Sequence, residues 1–160
     1  MASGGRERQG PAGGRVEIRE VDARGPAFAD VIAIRRTVFT AEQALTDTVD
    51  RDPYDYGDGA AVVLALLDGR PVGTGRLHVW RGFGQIAWVA VLADERGRGI
   101  GWELMVALLA AGERLGARRV TLSAQTHAIG FYRRLGFHTV GGTFSMGNIE
   151  HVTMERDLGD

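Results

Sequence analysis

A glycine-rich bend is the part of this sequence best suited to chemistry. It reads Arg-Gly-Arg-Gly-Ile-Gly over residues 96–101 and stands between an apolar stretch and a long helix-like segment. Glycines at alternate positions let the backbone turn sharply, so that its N–H groups point outward and no side chain blocks a ligand. Those N–H groups and the positive end of the following helix favour a phosphate or pyrophosphate, to which Arg96 and Arg98 add charged donors.

Two well-known phosphate loops do not fit this bend. A Walker loop ends in Gly-Lys-Ser/Thr, and the chain contains no lysine. The dinucleotide-binding fingerprint is G-x-G-x-x-G, whereas the bend reads G-x-G-x-G and is followed by Trp102. From the residues alone a third interpretation stays open, in which the glycines only make a tight turn from a strand to a helix.

Hydrophobic spacing predicts the elements that position the bend. Apolar residues recur every three or four positions over 100–115, which predicts a helix that Gly116 ends. The pair Asp68-Gly69 between apolar runs predicts a hairpin of two strands, over 60–67 and 72–80. A third strand, over 86–91, leads into the bend. Glycines 73 and 75 in the middle strand indicate a bulge or the close approach of another element.

The remaining segments complete an α/β domain with a mixed sheet. Residues 1–14 are polar and glycine-rich, which predicts a disordered N-terminal tail and leaves 15–160 as a single domain. Thr40 is expected to cap a short second helix that begins at Ala41. The other predicted strands cover 16–21, 119–124, 137–140 and 151–158, the other helices cover 28–36 and 128–135, and loops cover 47–59 and 141–150.

Composition excludes several classes of function. The 160 residues contain no cysteine, which excludes disulfides, thiolate metal sites and a cysteine nucleophile. The formal net charge is −1, so a general nucleic-acid-binding protein is not expected. No apolar run approaches the roughly 20 residues of a membrane span, and no secretory signal is visible. We therefore expect a cytoplasmic protein without a nucleic-acid or membrane partner.

The bend resembles motif A of the GNAT superfamily of acyl-CoA N-acyltransferases. The shared pattern is R-x-x-G-x-G, here Arg96, Gly99 and Gly101, between a strand and a long helix. Residues 122–137 resemble motif B, which ends in F-Y-x-x-x-G-F. Further matches to the ElaA-like and YjcF-like branch are V-F-x-x-E-Q at 38–43, A-Q-T-H-A at 124–128, and His151. The resemblance covers about residues 16–158.

This resemblance implies a fold and a cosubstrate. The fold is a mixed, mostly antiparallel sheet of six to seven strands, flanked by about four helices, with two central strands that splay apart. Acetyl-CoA lies in that splay, with its pantetheine arm paired to strand backbone and its pyrophosphate on the bend, and no metal is involved. The cofactor-binding residues implied in this way are Val89, Ala90, Val91, Arg96, Gly97, Arg98, Gly99, Ile100, Gly101, Gln125 and Arg133.

The implied reaction is the direct transfer of an acetyl group to a primary amine in a ternary complex. An ammonium ion with a pKa near 10 must lose a proton before it can attack. Tyr132 matches the tyrosine that many family members place near the sulfur, where it would serve the departing thiolate. Glu42 and His127 are candidates for the base. All three residues also have a simpler interpretation. Tyr132 would then be a core aromatic, Glu42 a solvated helix carboxylate, and His127 a surface or capping histidine.

The acceptor is predicted only by class, as a small-molecule or peptide amine. His151 and Trp88 are the residues expected to bind it. Trp88 stands where the branch usually has an arginine, in a G-R-V-A-V pattern, so we expect a different acceptor from that of such relatives. Asp50 and Asp52 offer carboxylates to a cationic acceptor, although a solvated acidic loop is the more common explanation of such residues.

Two further expectations concern function and assembly. Exposed strand edges leave room for a homodimer, which is common in the superfamily. An alternative function is that of a non-catalytic acyl-CoA-binding regulatory module, which would share the cofactor cleft but lack a productive acceptor site.

Overall fold

The computed structural model describes residues 6–9, 14–44, 49, 50 and 52–159. Within this part of the chain eight strands form one sheet in the order β1-β2-β3-β4-β5-β6-β8-β7. The strands are β1 Arg6–Gln9, β2 Arg15–Val21, β3 Ala60–Leu67, β4 Arg70–Trp80, β5 Phe83–Val91, β6 Arg119–Gln125, β7 His138–Met146 and β8 Ile149–Asp157. The helices are α1 Phe28–Arg35, α2 Ile100–Arg114 and α3 Ile129–Arg134, and a π-helical segment, Arg36–Glu42, continues α1.

Helices cover both faces of the sheet. Strand β3 is apolar throughout, and its successive residues point to opposite faces. Odd-numbered residues such as Val63 belong to a core cluster with Leu104 and Leu108 of α2, and we call this side the α2 face. Even-numbered residues such as Leu64 belong to a second cluster with Val31 and other residues of α1, on what we call the α1 face.

The two glycines in β4 let α2 approach the sheet closely, as the sequence predicts. A Cβ atom at Gly73 would lie 3.0 Å from Leu104 Cδ1, and one at Gly75 would lie 2.8 Å from Leu108 Cδ1. The register between β4 and β5 also shifts between Thr74 and Arg76, which marks a bulge. The bulge and the close approach of another element, which glycines 73 and 75 indicate as alternatives, are therefore both present.

Strands β5 and β6 splay apart, which confirms the expected opening in the sheet. They are the one parallel pair in the described sheet, and they are paired only over Phe83–Gln85 and Arg119–Thr121. Beyond these residues β5 continues to pair with β4, while β6 pairs with β8 as far as Gln125 and His151. A wedge-shaped gap therefore opens between β5 and β6 toward the bend.

Three local predictions differ from the structure. Thr40 does not begin a new helix, because the π-helical segment continues directly from α1, and the structure therefore has three α-helices where about four are expected. Residues 141–150 are not a loop, because β7 runs through a bulge between Val140 and Thr143 and turns tightly at Gly147. Residues 6–9, within the predicted tail, form β1 against β2, since backbone pairing at a sheet edge needs no apolar pattern.

Candidate active site

A groove of about 600 Å³ occupies the gap between β5 and β6. Its walls come from the π-helical segment, both splayed strands, the start of the bend, α3 and the β7–β8 hairpin. The groove brings together most of the predicted site residues, which are Glu42, Trp88, Val89, Ala90, Val91, Arg96, Gln125, His127, Tyr132 and His151. Its lining includes Phe39, which packs against the α1-face cluster, and Tyr132, which packs against the α2-face cluster.

The bend at the mouth of the groove has the geometry of an anion cradle. Gly97 and Gly99 both have φ of +81°, and a Cβ atom at either would meet nothing within 4 Å. Gly99 also precedes α2, whose first N–H groups have no acceptor within the helix. Ile100 is only 1% exposed, and its side chain belongs to the α2-face core cluster. A pyrophosphate fits such a set of open, outward-pointing amides.

Three other predicted cofactor residues lie around the bend. Arg98 forms an ion pair with Glu95 at 3.4 Å. Arg133 is exposed in the last turn of α3. A Cβ atom at Gly101 would lie 3.7 Å from the Phe131 ring, so Gly101 faces α3.

Glu42 and Arg96 form a two-bond ion pair across the groove. The guanidinium Nη1 and Nη2 donate to the two carboxylate oxygens at 2.7 and 2.9 Å, and Nε donates to the Val91 carbonyl at 2.9 Å. The hydrogen bonds from Arg96 lower the pKa of Glu42, and the same bonds raise the pKa of Arg96. In this state Glu42 is ionised at neutral pH, but its oxygens are engaged, which makes it a poorer proton acceptor than a free carboxylate.

Tyr132 brings a protonated phenol to the groove. Burial raises its pKa to about 12, so the hydroxyl keeps its proton at neutral pH. Its ring packs between Phe131 and Phe137, with centroids 5.1 and 6.0 Å away. The phenol is therefore held as a hydrogen-bond donor.

Trp88 reaches the groove through a backbone irregularity. The register of β4 with β5 sets Gly75 opposite both Trp88 and Val89, and Trp88 has φ of +58°, which is uncommon for a bulky residue. Strict alternation would put Trp88 on the same face as Ile86, which belongs to the α2-face core. Instead its ring meets residues of α1 and the π-helical segment.

The Trp88 ring is held on several sides. Phe39 contacts it edge-on at 5.2 Å, and the Arg35 guanidinium lies over it at 5.2 Å. Its indole Nε1 donates to Asp52 Oδ2 at 2.7 Å. The same oxygen lies 3.4 Å from Nη1 of Arg76, which is 2% exposed. A hydrogen-bonded and packed indole of this kind has one well-defined orientation.

The acidic loop is tied to the protein rather than solvated. Arg35 and Asp55, both buried, form two hydrogen bonds of 2.8 Å. Burial by itself raises the pKa of Asp52, but hydrogen bonds from Trp88 and the Tyr54 amide, with the charges of Arg76 and Arg35, lower it overall. Asp50 pairs with Arg36 at 2.7 Å. Both carboxylates predicted to attract a cationic acceptor are thus already engaged. Of the predicted loop 47–59, residues 47, 48 and 51 lie outside the described residues.

The remaining polar groups lie on the β6 and β8 side. His151 is buried beneath Phe144, whose ring stacks on it at 6.0 Å, and its Nδ1 donates to the Ile149 carbonyl at 2.8 Å. His127 is exposed at the rim. Gln125 Nε2 donates to Gln43 Oε1 at 3.0 Å, which links β6 to the end of the π-helical segment.

Sequence reasoning missed several groove residues, which are Phe39, Gln43, Gln85, Ser123 and Met146. Phe39 and Gln43 lie within the V-F-x-x-E-Q match, so that match contained a signal for them. Met146 belongs to β7, in a segment that the sequence predicts to be a loop.

The described residues contain neither a metal-binding cluster nor a membrane-spanning helix. No group of three or more His, Cys, Asp or Glu side chains in this part of the chain is arranged to hold a metal ion. None of the helices in the same residues combines the length and apolar character needed to cross a membrane.

Several known proteins resemble this chain in sequence and in fold. A sequence model of the Acetyltransferase (GNAT) family matches residues 28–137. YjcF of Bacillus subtilis, named as an uncharacterized N-acetyltransferase, is 32% identical over 130 residues, which are 80% of this chain and 91% of that protein. A crystal structure of an acyl-CoA N-acyltransferase from Pseudomonas aeruginosa is 27% identical with a TM-score of 0.77, over 88% of this chain and 99% of that one. The fold also matches that of Escherichia coli ElaA, with a TM-score of 0.79 at 23% identity over 89% and 99% of the two chains.

Proposed function

The chain belongs to the GNAT family of acetyltransferases, and from this premise we propose that it transfers an acetyl group from acetyl-CoA to a primary amine. The observation that carries the proposal is the gap between β5 and β6. It joins the glycine bend, which begins α2, to the groove wall formed by Glu42, Phe39 and Trp88 on the α1 face. A thioester whose CoA moiety is held at the bend can then meet an amine that is bound at this wall.

The cosubstrate end of the groove is built mainly from backbone. We propose that amides of residues 97–101 bind the pyrophosphate, with Arg96, Arg98 and Arg133 as nearby cations. The pantetheine arm would pair with the free edge of β5 at Val89 and Val91, beside Ala90, and with Gln125 across the gap. The Val91 carbonyl already accepts a bond from Arg96, so the arm would share this oxygen or displace that guanidinium.

The transfer needs a proton acceptor and a group that stabilises sulfur. The neutral amine attacks the thioester carbonyl carbon, a C–N bond forms, and the C–S bond breaks with its electron pair on sulfur. A thiol has an ordinary pKa near 8.5, so complete proton transfer from a phenol with a pKa of about 12 is unfavourable. We therefore assign Tyr132 a hydrogen bond to the developing thiolate, which takes up a proton released by the amine.

Glu42 and His127 are the two residues proposed as the base, and they differ in their contacts within the groove. Glu42 is next to the gap but engaged by Arg96, so it would accept a proton only after Arg96 turns toward the pyrophosphate. His127 also lines the groove, at its exposed rim. His151 is proposed to contact the acceptor, since its free ring edge lines the groove while Nδ1 is bound to backbone.

Cosubstrate binding is tested by thermal unfolding with acetyl-CoA. Ligand at 100 times its Kd is expected to stabilise the protein by about 2.7 kcal/mol. Gly99→Glu is expected to abolish this effect, because it places a negative charge and a side chain on the phosphate cradle. Gly116→Glu is the matched control, since Gly116 ends α2 with φ of +82° and is equally open. No shift of the wild-type melting temperature at saturating acetyl-CoA would contradict the proposal.

A non-catalytic acyl-CoA-binding module is the second candidate, favoured by the engagement of Glu42 with Arg96. Release of CoA from acetyl-CoA, measured with a broad panel of amines, separates the two functions. Turnover with any amine that is reduced in Tyr132→Phe supports the enzyme. Binding of acetyl-CoA without turnover on the whole panel supports the module.

A further inference from the structure

The α1-face wall of the groove is aromatic and apolar. Trp88 and Phe39 form it together, in edge-to-face contact at 5.2 Å, and Val38 and Ala87 extend it. At the rim of the groove Met146 is 43% exposed, which adds a soft apolar surface from the β7–β8 hairpin. A ligand entering from this side meets apolar surface first.

The charges near this wall are already compensated within the protein. Among the described residues that line the groove, Glu42 is the one carboxylate and Arg96 the one guanidinium, and they bind each other. Behind the wall, Asp52 is engaged by Trp88 and Arg76. An acceptor with several positive charges would have to break one of these pairs to find a carboxylate, whereas an apolar group needs no such exchange.

The wall is also rigid. The bulge fixes the Trp88 backbone, Arg35 lies over the ring, and Asp52 accepts from its Nε1. Asp52 is in turn held near Arg76, which is buried. A preorganised aromatic surface loses little entropy when a flat ligand packs on it.

We propose, on the basis of the proposed function, that the acceptor is an amine bearing an aromatic or other flat apolar group that packs against Trp88 and Phe39. Asp52 is a positioning residue in this arrangement, because it holds the indole in place without lining the groove. The bond changes of the transfer step are those given above, and the wall determines only which amine is brought to the thioester.

The acceptor class is tested by CoA release with four amines at saturating acetyl-CoA. 2-Phenylethylamine carries the ring, ethylamine lacks it, and spermidine and glucosamine represent polycationic and sugar amines. We expect kcat/KM for 2-phenylethylamine to exceed each of the others by about 10-fold or more. Preference for spermidine or glucosamine overturns this inference and leaves the proposed function intact. Turnover of none of a broad amine panel overturns the proposed function, and the inference with it.

Variants at the wall supply a ring-specific control. Trp88→Ala is expected to raise KM for 2-phenylethylamine about 10-fold and to change KM for ethylamine much less. Fluorescence titration of the CoA-bound protein with 2-phenylethylamine gives a second readout that does not need turnover, and its signal should be reduced in Trp88→Phe. Equal effects of Trp88→Ala on both amines would overturn the packing contact.

The role of Asp52 is tested by a double-mutant cycle. Trp88→Phe removes the indole donor but keeps a ring, and Asp52→Asn keeps an oxygen near Arg76 while it weakens the bond to the indole. Each is expected to raise KM for 2-phenylethylamine severalfold at nearly constant kcat, and the double variant to resemble Trp88→Phe. Asp157→Asn, which removes a carboxylate paired with Arg119 at the far end of β6, is the control with unchanged KM. Fully additive effects would overturn the positioning role.

Discussion

At the scale of single residues, contacts within the groove set the protonation states of Tyr132 and Glu42. Burial keeps the Tyr132 phenol protonated, and Arg96 keeps Glu42 ionised. Tyr132 packs against the core, and Glu42 is an exposed carboxylate paired with Arg96, so the simpler interpretations of both residues stay open beside the catalytic ones. The catalytic roles assigned to them are proposals that kinetics can separate from structure.

Replacing Tyr132 by phenylalanine tests the hydrogen bond to the leaving sulfur. The variant keeps the packing with Phe131 and Phe137 but has no donor. We expect kcat to fall on the order of 10- to 100-fold, which is typical for loss of a hydrogen bond to a charged group. KM for acetyl-CoA should change little. A variant with wild-type kcat would remove Tyr132 from the reaction.

The identity of the base is expected to be visible in the pH dependence of kcat/KM for the amine. A base is active when deprotonated, so activity falls as pH drops through its pKa. Arg96 lowers the pKa of Glu42, and Arg96→Gln should therefore move an acidic limb due to Glu42 to higher pH, toward the ordinary value of 4.5. An acidic limb that Arg96→Gln leaves in place and that disappears in His127→Asn instead identifies His127.

At the scale of elements, α2 packs closely on β4 and also follows the glycine bend. The absence of side chains at Gly73 and Gly75 brings the helix against the sheet next to the bulge that carries Trp88. The start of α2 is also the end of the bend. A shift of this one helix would therefore move the phosphate cradle relative to the gap.

Gly75→Ala is expected to destabilise the protein by about 1–3 kcal/mol, because its methyl group would overlap Leu108. The built Cβ lies 2.8 Å from Leu108 Cδ1, and Leu108 is fully buried. Gly142→Ala in β7 is the control, since a Cβ there would meet nothing within 4 Å. Denaturant unfolding measures the free energy of unfolding of both variants. Equal stabilities of the two variants would show that α2 packs less closely than this structure has it.

At the scale of the whole molecule, two buried arginines join the acidic loop to the sheet and α1. Arg35 binds Asp55, and Arg76 lies beside Asp52. Both cations lie on the α1 face beneath the aromatic wall of the groove. The stability of the domain and the geometry of the aromatic wall therefore depend on the same carboxylates.

This dependence predicts how stability changes with pH. The pKa of Asp52 is lower in the folded protein than its ordinary value of 3.8, so its stabilising effect is present above that value and is lost as pH falls through the folded pKa. The free energy of unfolding of Asp52→Asn should therefore be lower than that of the wild type near neutral pH. The difference should narrow below about pH 3.8, as measured by urea unfolding at a series of pH values. A difference independent of pH would contradict the charge pairing.

The sequence by itself determined the features that depend on near neighbours. The glycine bend, the hairpin at Asp68-Gly69 and the helix over Ile100–Arg114 follow from turn chemistry and from periods of two and 3.6 residues. The resemblance to a family added the splay of the two central strands, which no local pattern gives.

Tertiary structure alone decided which side chains meet in the groove. A single bulge turns Trp88 to the α1 face, and Arg96 reaches Glu42 across 54 positions of sequence. Strand β7 continues through Gly141 and Gly142 because β8 pairs with it on either side of the bulge. Such contacts depend on register and on packing between distant segments, and local propensity carries no information about either.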